Sequence, residues 1–358
     1  MKIKGKVINF NSTFNAEIIF EDNINTVNKI EEKMENIIIP GYVDLHCHGG
    51  NGYEVMHGWE DITKMSEYHL CHGTTSIAPT TWTETFAKTQ KALEGYNEEI
   101  HNFPNIIGIH LEGPFINPDK LGAQPPKAQK PDINFIENLT KIANIKIITL
   151  APELEGIKNL IKFLNQKNIN VQFGHSLASY DQCLPYIENY QIGFTHLYNA
   201  MSGNDHRQPG VLAAAFHLGK FAEIIFDKHH VSVASFHIAK KCIPYLYTIT
   251  DSIGVSGLKD GEHKFANSIV EKKLGIVKIK DKDTLAGSIV TMDETFLNLL
   301  NSNCTPEEAV SLTSYNASKY LKDETIGEIA PSKKANFLVL DKNYKLKSIY
   351  LHGKEISR

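Results

Sequence analysis

From residue 40 to residue 251 the chain alternates between short, almost wholly apolar runs and longer stretches whose apolar residues recur at helical spacing. The apolar runs are Gly41–His46, Thr75–Pro79, Ile106–Leu111, Ile145–Leu150, Ile169–Phe173, Gly193–His196, Ala222–Phe226 and Tyr245–Asp251. Helix-period segments fill the gaps, among them Phe86–Glu99, Phe135–Ala143, Ile157–Gln166 and Gln182–Glu188. Runs with little polar alternation are strands buried on both faces, which is the mark of a parallel sheet covered by helices. Eight strands, each followed by a helix, predict an α/β chain closed as a (β/α)8 TIM-like barrel over residues 40–326. An open doubly wound sheet is the alternative. The ends read differently. Lys2–Phe10, Ala16–Glu21 and Asn36–Ile39, then Ala335–Leu340 and Leu346–Leu351, are short strands between polar turns. Each end has too few strands to bury a core alone. Residues 1–39 and 327–358 are therefore expected to pair as one small β-sandwich. A polar stretch, Ser256–Lys282, reads as a hairpin inserted before helices at Glu294–Asn301 and Pro306–Leu321.

The 358 residues carry a formal charge of −4, with 42% hydrophobic and 22% charged residues. That balance is ordinary for a globular chain, and without a basic patch it argues against nucleic acid as a partner. No apolar stretch approaches the ~18 residues of a membrane span, and the N-terminus lacks an uninterrupted apolar leader. The five cysteines are scattered without a Cys-x-x-Cys pair, which fits free thiols in a reducing cytoplasm.

Chemistry gathers at the ends of the apolar runs, where a barrel of this kind carries its active site. The first run ends in His46-Cys-His48-Gly-Gly, and alternation along a strand puts both imidazoles, and Asp44, on one face. The third gives His110 and Glu112, the fifth His175, the sixth His196, the seventh Asp227 and His230, the eighth Asp251. Taken singly, each has an ordinary explanation, such as a helix-start carboxylate or a satisfied core histidine. At successive strand ends they form a set. Glu112, His175 and His196 provide three ligands for one divalent metal with an open position for water. His46 and His48 provide for a second metal, with Glu112 bridging. Asp251, not needed as a ligand, is free to act as a base on water acidified by the metal.

These residues lie in motifs that resemble one family throughout the chain: Pro40-Gly-Tyr-Val-Asp-Leu-His-Cys-His-Gly-Gly50, Gly-Ile-His-Leu-Glu-Gly-Pro-Phe, Gly-His-Ser, Thr-His-Leu-Tyr-Asn-Ala-Met, His-Arg-Gln-Pro-Gly, Thr-Asp-Ser and Leu-Ala-Gly-Ser. The sequence is similar to the N-acetylglucosamine-6-phosphate deacetylase family of the amidohydrolase superfamily. The resemblance implies hydrolysis of N-acetyl-D-glucosamine 6-phosphate to D-glucosamine 6-phosphate and acetate in amino-sugar catabolism. It implies Glu112, His175 and His196 as the principal metal ligands, and one or two divalent ions, with zinc, iron, manganese and cobalt all suited to such ligands. It implies Asp251 as the base that later protonates the leaving amine, with Asn199 and Ala200 on the sugar, Ala123 and Gln124 beside it, Arg207 and His230 on the phosphate, and Leu285, Ala286 and Gly287 closing over the substrate. A cytoplasmic homodimer follows from the same resemblance. The chain departs from the family at Gln124, where histidine is frequent, at Lys228-His229, where Gly-Leu is common, and in Thr-Asp-Ser for Thr-Asp-Ala. The competing readings are a deacetylase for the galactosamine epimer, another amidohydrolase acting on cyclic amides, and a non-catalytic sugar-phosphate sensor. Many cyclic-amide hydrolases carry a carboxylated lysine at the end of strand four; here that end reads Leu150-Ala-Pro-Glu153.

Overall fold

A computed structural model describes residues 1–266 and 268–357. Its centre is a set of parallel strands: β1 (Tyr42–Cys47), β2 (Thr74–Thr81), β3 (Ile109–Glu112), β4 (Ile145–Leu150), β5 (Asn170–Phe173) and β6 (Ile192–Phe194). These six are hydrogen-bonded in sequence order into one curled sheet. β7 (Phe221–Ile225) and β8 (Tyr245–Ile249) form a separate parallel pair. Backbone hydrogen bonds outside the main ladders close the ring on both sides. The Leu197 N–H donates to the Glu223 carbonyl at 2.9 Å, and the Asp251 N–H donates to the His46 carbonyl at 2.8 Å. Strand order and direction therefore follow the barrel expectation, with a continuous ladder across six strands and looser seams on either side of the β7–β8 pair.

The helices begin where their caps dictate. Ser179 and Gln182 form a reciprocal capping box at the start of Tyr180–Ile187, and Thr305 with Glu308 does the same ahead of Pro306. Ile157–Gln166 forms over the expected residues, with Ile157, Leu160, Ile161 and Leu164 buried at helical spacing. The expected helix Phe86–Glu99 is two, Phe86–Leu93 and Tyr96–Glu99. Gly95 between them takes φ 97°, which only glycine adopts without strain.

The two ends pair into one small β unit, as expected, and the sandwich is made by a single curled sheet. They form one seven-stranded sheet in the order Lys354–Ile356, Leu346–Leu351, Phe337–Leu340, Ile37–Pro40, Lys2–Asn9, Ser12–Phe20, Ile24–Lys29. The sheet curls until distant strands meet, so that the Phe20 ring packs edge-on against Phe337 at 5.0 Å. Its two flanking strands, Ile24–Lys29 and Lys354–Ile356, are largely polar and gave no alternation to read. The inserted hairpin is a three-stranded antiparallel sheet, Gly261–Phe265, Ser268–Lys273 and Ile276–Ile279. It brings Phe265 against Trp82, rings 5.3 Å apart, over the carboxyl ends of the barrel strands.

Candidate active site

Four imidazoles and two carboxylates converge at those carboxyl ends. The Nε2 atoms of His175 and His196 lie 3.0 and 2.9 Å from Glu112 Oε1. His48 Nε2 lies 3.1 Å from Glu112 Oε2 and 3.2 Å from Asp251 Oδ1. His46 Nε2 is 3.5 Å from both Glu112 Oε1 and Asp251 Oδ1. Two groups with metal-binding geometry, Glu112–His175–His196 and His46–His48–Glu112, therefore share one carboxylate.

The backbone at these positions is special. His175, His196, Ala200 and Asp251 have φ of 48°, 27°, 49° and 47°. Non-glycine residues in the left-handed region cost free energy, and such strain collects at functional sites, where a strand end is bent to aim its side chain. Gly174 allows the turn before His175, because a Cβ there would meet Thr195 Cβ at 2.7 Å. Gly49 and Gly50 serve close packing rather than leaving space over the imidazoles, as their Cβ atoms would collide with Gly254 and Tyr68.

The outer ring nitrogens decide whether a cation fits. His48 Nδ1 is 2.9 Å from the Thr80 carbonyl and His175 Nδ1 is 2.8 Å from the Lys120 carbonyl. A carbonyl only accepts, so both Nδ1 atoms carry a proton, and in the neutral rings both Nε2 atoms present lone pairs. His46 Nδ1 donates likewise to Glu223 Oε2 at 3.0 Å. Lone pairs of facing imidazoles, with Nε2 atoms 3.1 Å apart in His175–His196 and 3.2 Å apart in His46–His48, repel unless a cation stands among them. The donor set of imidazole nitrogen and carboxylate oxygen suits a divalent transition metal.

Electrostatics agree. Burial disfavours a charged His46, but the carboxylates of Glu112, Glu223 and Asp251 outweigh it and hold its pKa well above the usual range. His48 is pushed up to about 9, with burial again opposing and the Asp251 and Glu112 hydrogen bonds prevailing. Burial raises and the histidines lower Glu112, which ends well below an ordinary carboxylate, and Asp251 is lowered in the same way. The site thus attracts positive charge. His110, set beside Glu112 by strand alternation, is not part of the cluster: its Nδ1 meets the Leu45 carbonyl at 2.9 Å and its Nε2 meets Thr149 Oγ1 at 2.8 Å. Asp44 does not join the cluster either. Its carboxylate accepts from Thr250 Oγ1 at 2.6 Å and ties β1 to the residue before Asp251.

Above the cluster opens a cleft of about 440 Å³. Ala123, Gln124, Asn199, Ala200, His230, Leu285 and Gly287 line it, together with His48, Glu112, His175, His196 and Asp251. Ala286 is buried between the two lining neighbours. The Gln124 amide donates to Glu112 Oε2, and its carbonyl accepts from the Thr83 N–H. His230 Nδ1 pairs with Asp227 Oδ2 at 2.7 Å. Arg207 is not brought into the cleft. It is exposed in the loop after β6, where the Asp205 carboxylate accepts from its N–H and shapes the turn. Sequence reading passed over Trp82, Ile253 and Phe265 in the cleft wall. It also passed over Glu223, although a carboxylate inside Phe-Ala-Glu-Ile-Ile-Phe was a legible anomaly.

Comparison with known proteins agrees with the geometry. Residues 37–356 match the Amidohydrolase family, whose members depend on metal. The N-acetylglucosamine-6-phosphate deacetylase of Bacillus subtilis (strain 168) is 33% identical over 87% of this chain and 82% of its own. The N-acetylgalactosamine-6-phosphate deacetylase of Escherichia coli O157:H7 is 29% identical over 90% of this chain and 89% of its own. The crystal structure of N-acetylglucosamine-6-phosphate deacetylase from Thermotoga maritima superposes with a TM-score of 0.93 at 27% identity, covering both chains completely. Histidines and carboxylates gathered at the strand ends, a barrel with a terminal sheet and full-length similarity lead to one conclusion: the chain belongs to the amidohydrolase family, among its N-acetylglucosamine-6-phosphate deacetylases.

Proposed function

We propose that the protein hydrolyses the acetamide of N-acetyl-D-glucosamine 6-phosphate, releasing D-glucosamine 6-phosphate and acetate. The observation that carries this reading is the convergence of Glu112, His46, His48, His175, His196 and Asp251 beneath a cleft that also holds His230 and Asn199. In this reading Glu112, His175 and His196 would hold one divalent ion, and His46 and His48, with Glu112 common to both groups, would hold a second, zinc being the first choice. When bound, the metal polarises the amide carbonyl and acidifies water. The chain's own groups do the rest. Asp251, a carboxylate at the wall of the cleft beside His46 and His48, accepts the proton of the attacking water as the C–O bond forms and returns it to the amine nitrogen as the C–N bond breaks. Asn199, Ala200, Ala123 and Gln124 orient the sugar. His230, made more basic by Asp227, meets the phosphate. Arg207 is proposed as a second phosphate contact from its exposed loop, and Leu285–Gly287 as the edge that closes over substrate. The division into a catalytic unit at 40–326 and a small unit from both ends, a homodimeric state and a cytoplasmic location belong to the same reading. No helix among the described residues is long and apolar enough to cross a membrane.

The galactosamine epimer is the second reading; the relative from Escherichia coli O157:H7 carries that name, but the weight of similar proteins named for the glucosamine phosphate does not favour it. A cyclic-amide hydrolase is disfavoured. Glu153, at the end of β4 where those enzymes place a lysine, is occupied by Asn117, Ser176 and the Leu177 N–H. Acetate release from a panel of N-acetylated hexosamine 6-phosphates, after metal reconstitution, tests the reading. The glucosamine phosphate should have the largest kcat/KM. Preference for the galactosamine epimer moves the assignment to that reading, and no acetate from any member refutes deacetylation.

A further inference from the structure

The four imidazoles of the cluster are backed unequally. His48 and His175 each donate Nδ1–H to a neutral backbone carbonyl. His196 Nδ1 has no hydrogen-bond partner among the described residues. His46 alone is backed by a full charge, the Glu223 carboxylate. Glu223 is wholly buried, and among the described residues its only ion-pair partner is His46. Its orientation is fixed from three directions. Oε2 takes the His46 Nδ1–H and faces the His196 backbone N–H at 3.4 Å, while Oε1 accepts from Gln172 Nε2 at 2.9 Å. The Gln172 amide is itself fixed, since its oxygen accepts from Thr195 Oγ1 at 2.8 Å. A carboxylate buried with a single imidazole for counter-charge is costly unless it serves a cation beyond that ring. A histidine donating Nδ1–H to a carboxylate is locked in the tautomer that offers Nε2, and its Nε2 becomes a stronger base toward a metal.

We propose that Glu223 is a positioning residue that sets how tightly the His46–His48 pair holds its metal ion. It acts through His46 and touches no substrate. It acts on that pair and not on the Glu112–His175–His196 group, whose imidazoles have no charged backing. The inference rests on the two-ion reading above, and the experiment separates the two.

Metal-free wild type and Glu223→Gln are titrated with zinc against a chromophoric chelator. The amide keeps the shape and the acceptor oxygen but removes the charge. Wild type should take two equivalents. Glu223→Gln should keep the first affinity and weaken the second by ~10- to 100-fold, the usual effect of removing a hydrogen-bond partner behind a metal-bound histidine. Two equivalents in wild type with an unchanged second affinity in the variant overturn the role of Glu223 and leave the two-ion reading standing. One equivalent in wild type overturns both. Equal weakening of both equivalents makes Glu223 a general structural group and also overturns the proposal. Should the variant not fold, imidazole nitrogen NMR on zinc-loaded wild type decides. His46 should be protonated at Nδ1, with its proton shifted further downfield than those of His48 and His175. Protonation at Nε2, or a proton resonance like the other two, refutes it.

Discussion

Asp251→Asn is the sharpest test of the proton transfer. Asp251 Oδ1 stands 3.2 Å from His48 Nε2 and 3.5 Å from His46 Nε2, at the wall of the cleft. Its left-handed backbone is held by its own N–H to the His46 carbonyl, and the preceding Thr250 is pinned by Asp44. Asparagine keeps that shape and one oxygen but cannot take a proton. A positioned general base contributes ~10²- to 10⁴-fold, so kcat should fall by that factor, about 2.7–5.4 kcal/mol at 1.36 kcal/mol per tenfold. KM should change little, because neither metal group needs this carboxylate. The pH sense is also fixed. Burial raises the Asp251 pKa, but His46 and His48 pull it below the ordinary value. A depressed acid stabilises the fold above its unfolded pKa and loses that contribution as pH falls through the lower folded value. The metal-free variant should therefore be less stable than metal-free wild type at neutral pH, with the gap closing in acid. Steady-state acetate release, metal content by mass spectrometry and urea unfolding read the three quantities. Turnover within tenfold of wild type refutes the base. Stoichiometric loss of metal would make Asp251 a ligand instead.

His46→Asn/His48→Asn should fold and hold about one ion fewer than wild type, with equal metal content in both proteins counting against the second group. His230→Ala removes a hydrogen bond to a charged group, worth ~1.5–3 kcal/mol, and should lower kcat/KM for the 6-phosphate by roughly 10- to 150-fold while sparing unphosphorylated N-acetylglucosamine. Arg207→Ala, assayed on the same two substrates, should lose selectively on the phosphorylated one; an equal loss on both makes that loop structural. Burial lowers and Asp227 raises the His230 pKa, with a net rise above 6.5, so phosphate binding should be complete below that value and weaken as pH climbs through the raised one. In a KM–pH profile, Asp227→Asn should move that weakening to lower pH, and an unmoved profile would show that His230 does not carry the charge.

What the sequence by itself determined is whatever depends on local periodicity and on residue type at a strand end. Apolar runs such as Ile145–Leu150 can only be strands buried on both faces, and Ile157–Gln166 carries its own helical stripe. Eight such strands in one direction, each followed by a helix, fit a barrel better than an open sheet, and the rule that chemistry lies at their carboxyl ends then selected Glu112, His175, His196, His46, His48 and Asp251 together. The polar strands Ile24–Lys29 and Lys354–Ile356 escaped notice because flanking strands pair through backbone and need no apolar face. Only the tertiary structure decided which polar groups meet across long separations. It placed His110 on Leu45 and Thr149, gave Asp44 to Thr250, set Gln124 against Glu112, left Arg207 outside the cleft and put Glu223 behind His46. Glu223 and His46 are 177 residues apart. Each is locally a charge or an imidazole on an apolar strand, and closing the ring from β6 through the β7–β8 pair to β1 gives one the other as its partner. A strand's pattern says which face is buried, and the register and seams of the closed sheet say what that face touches.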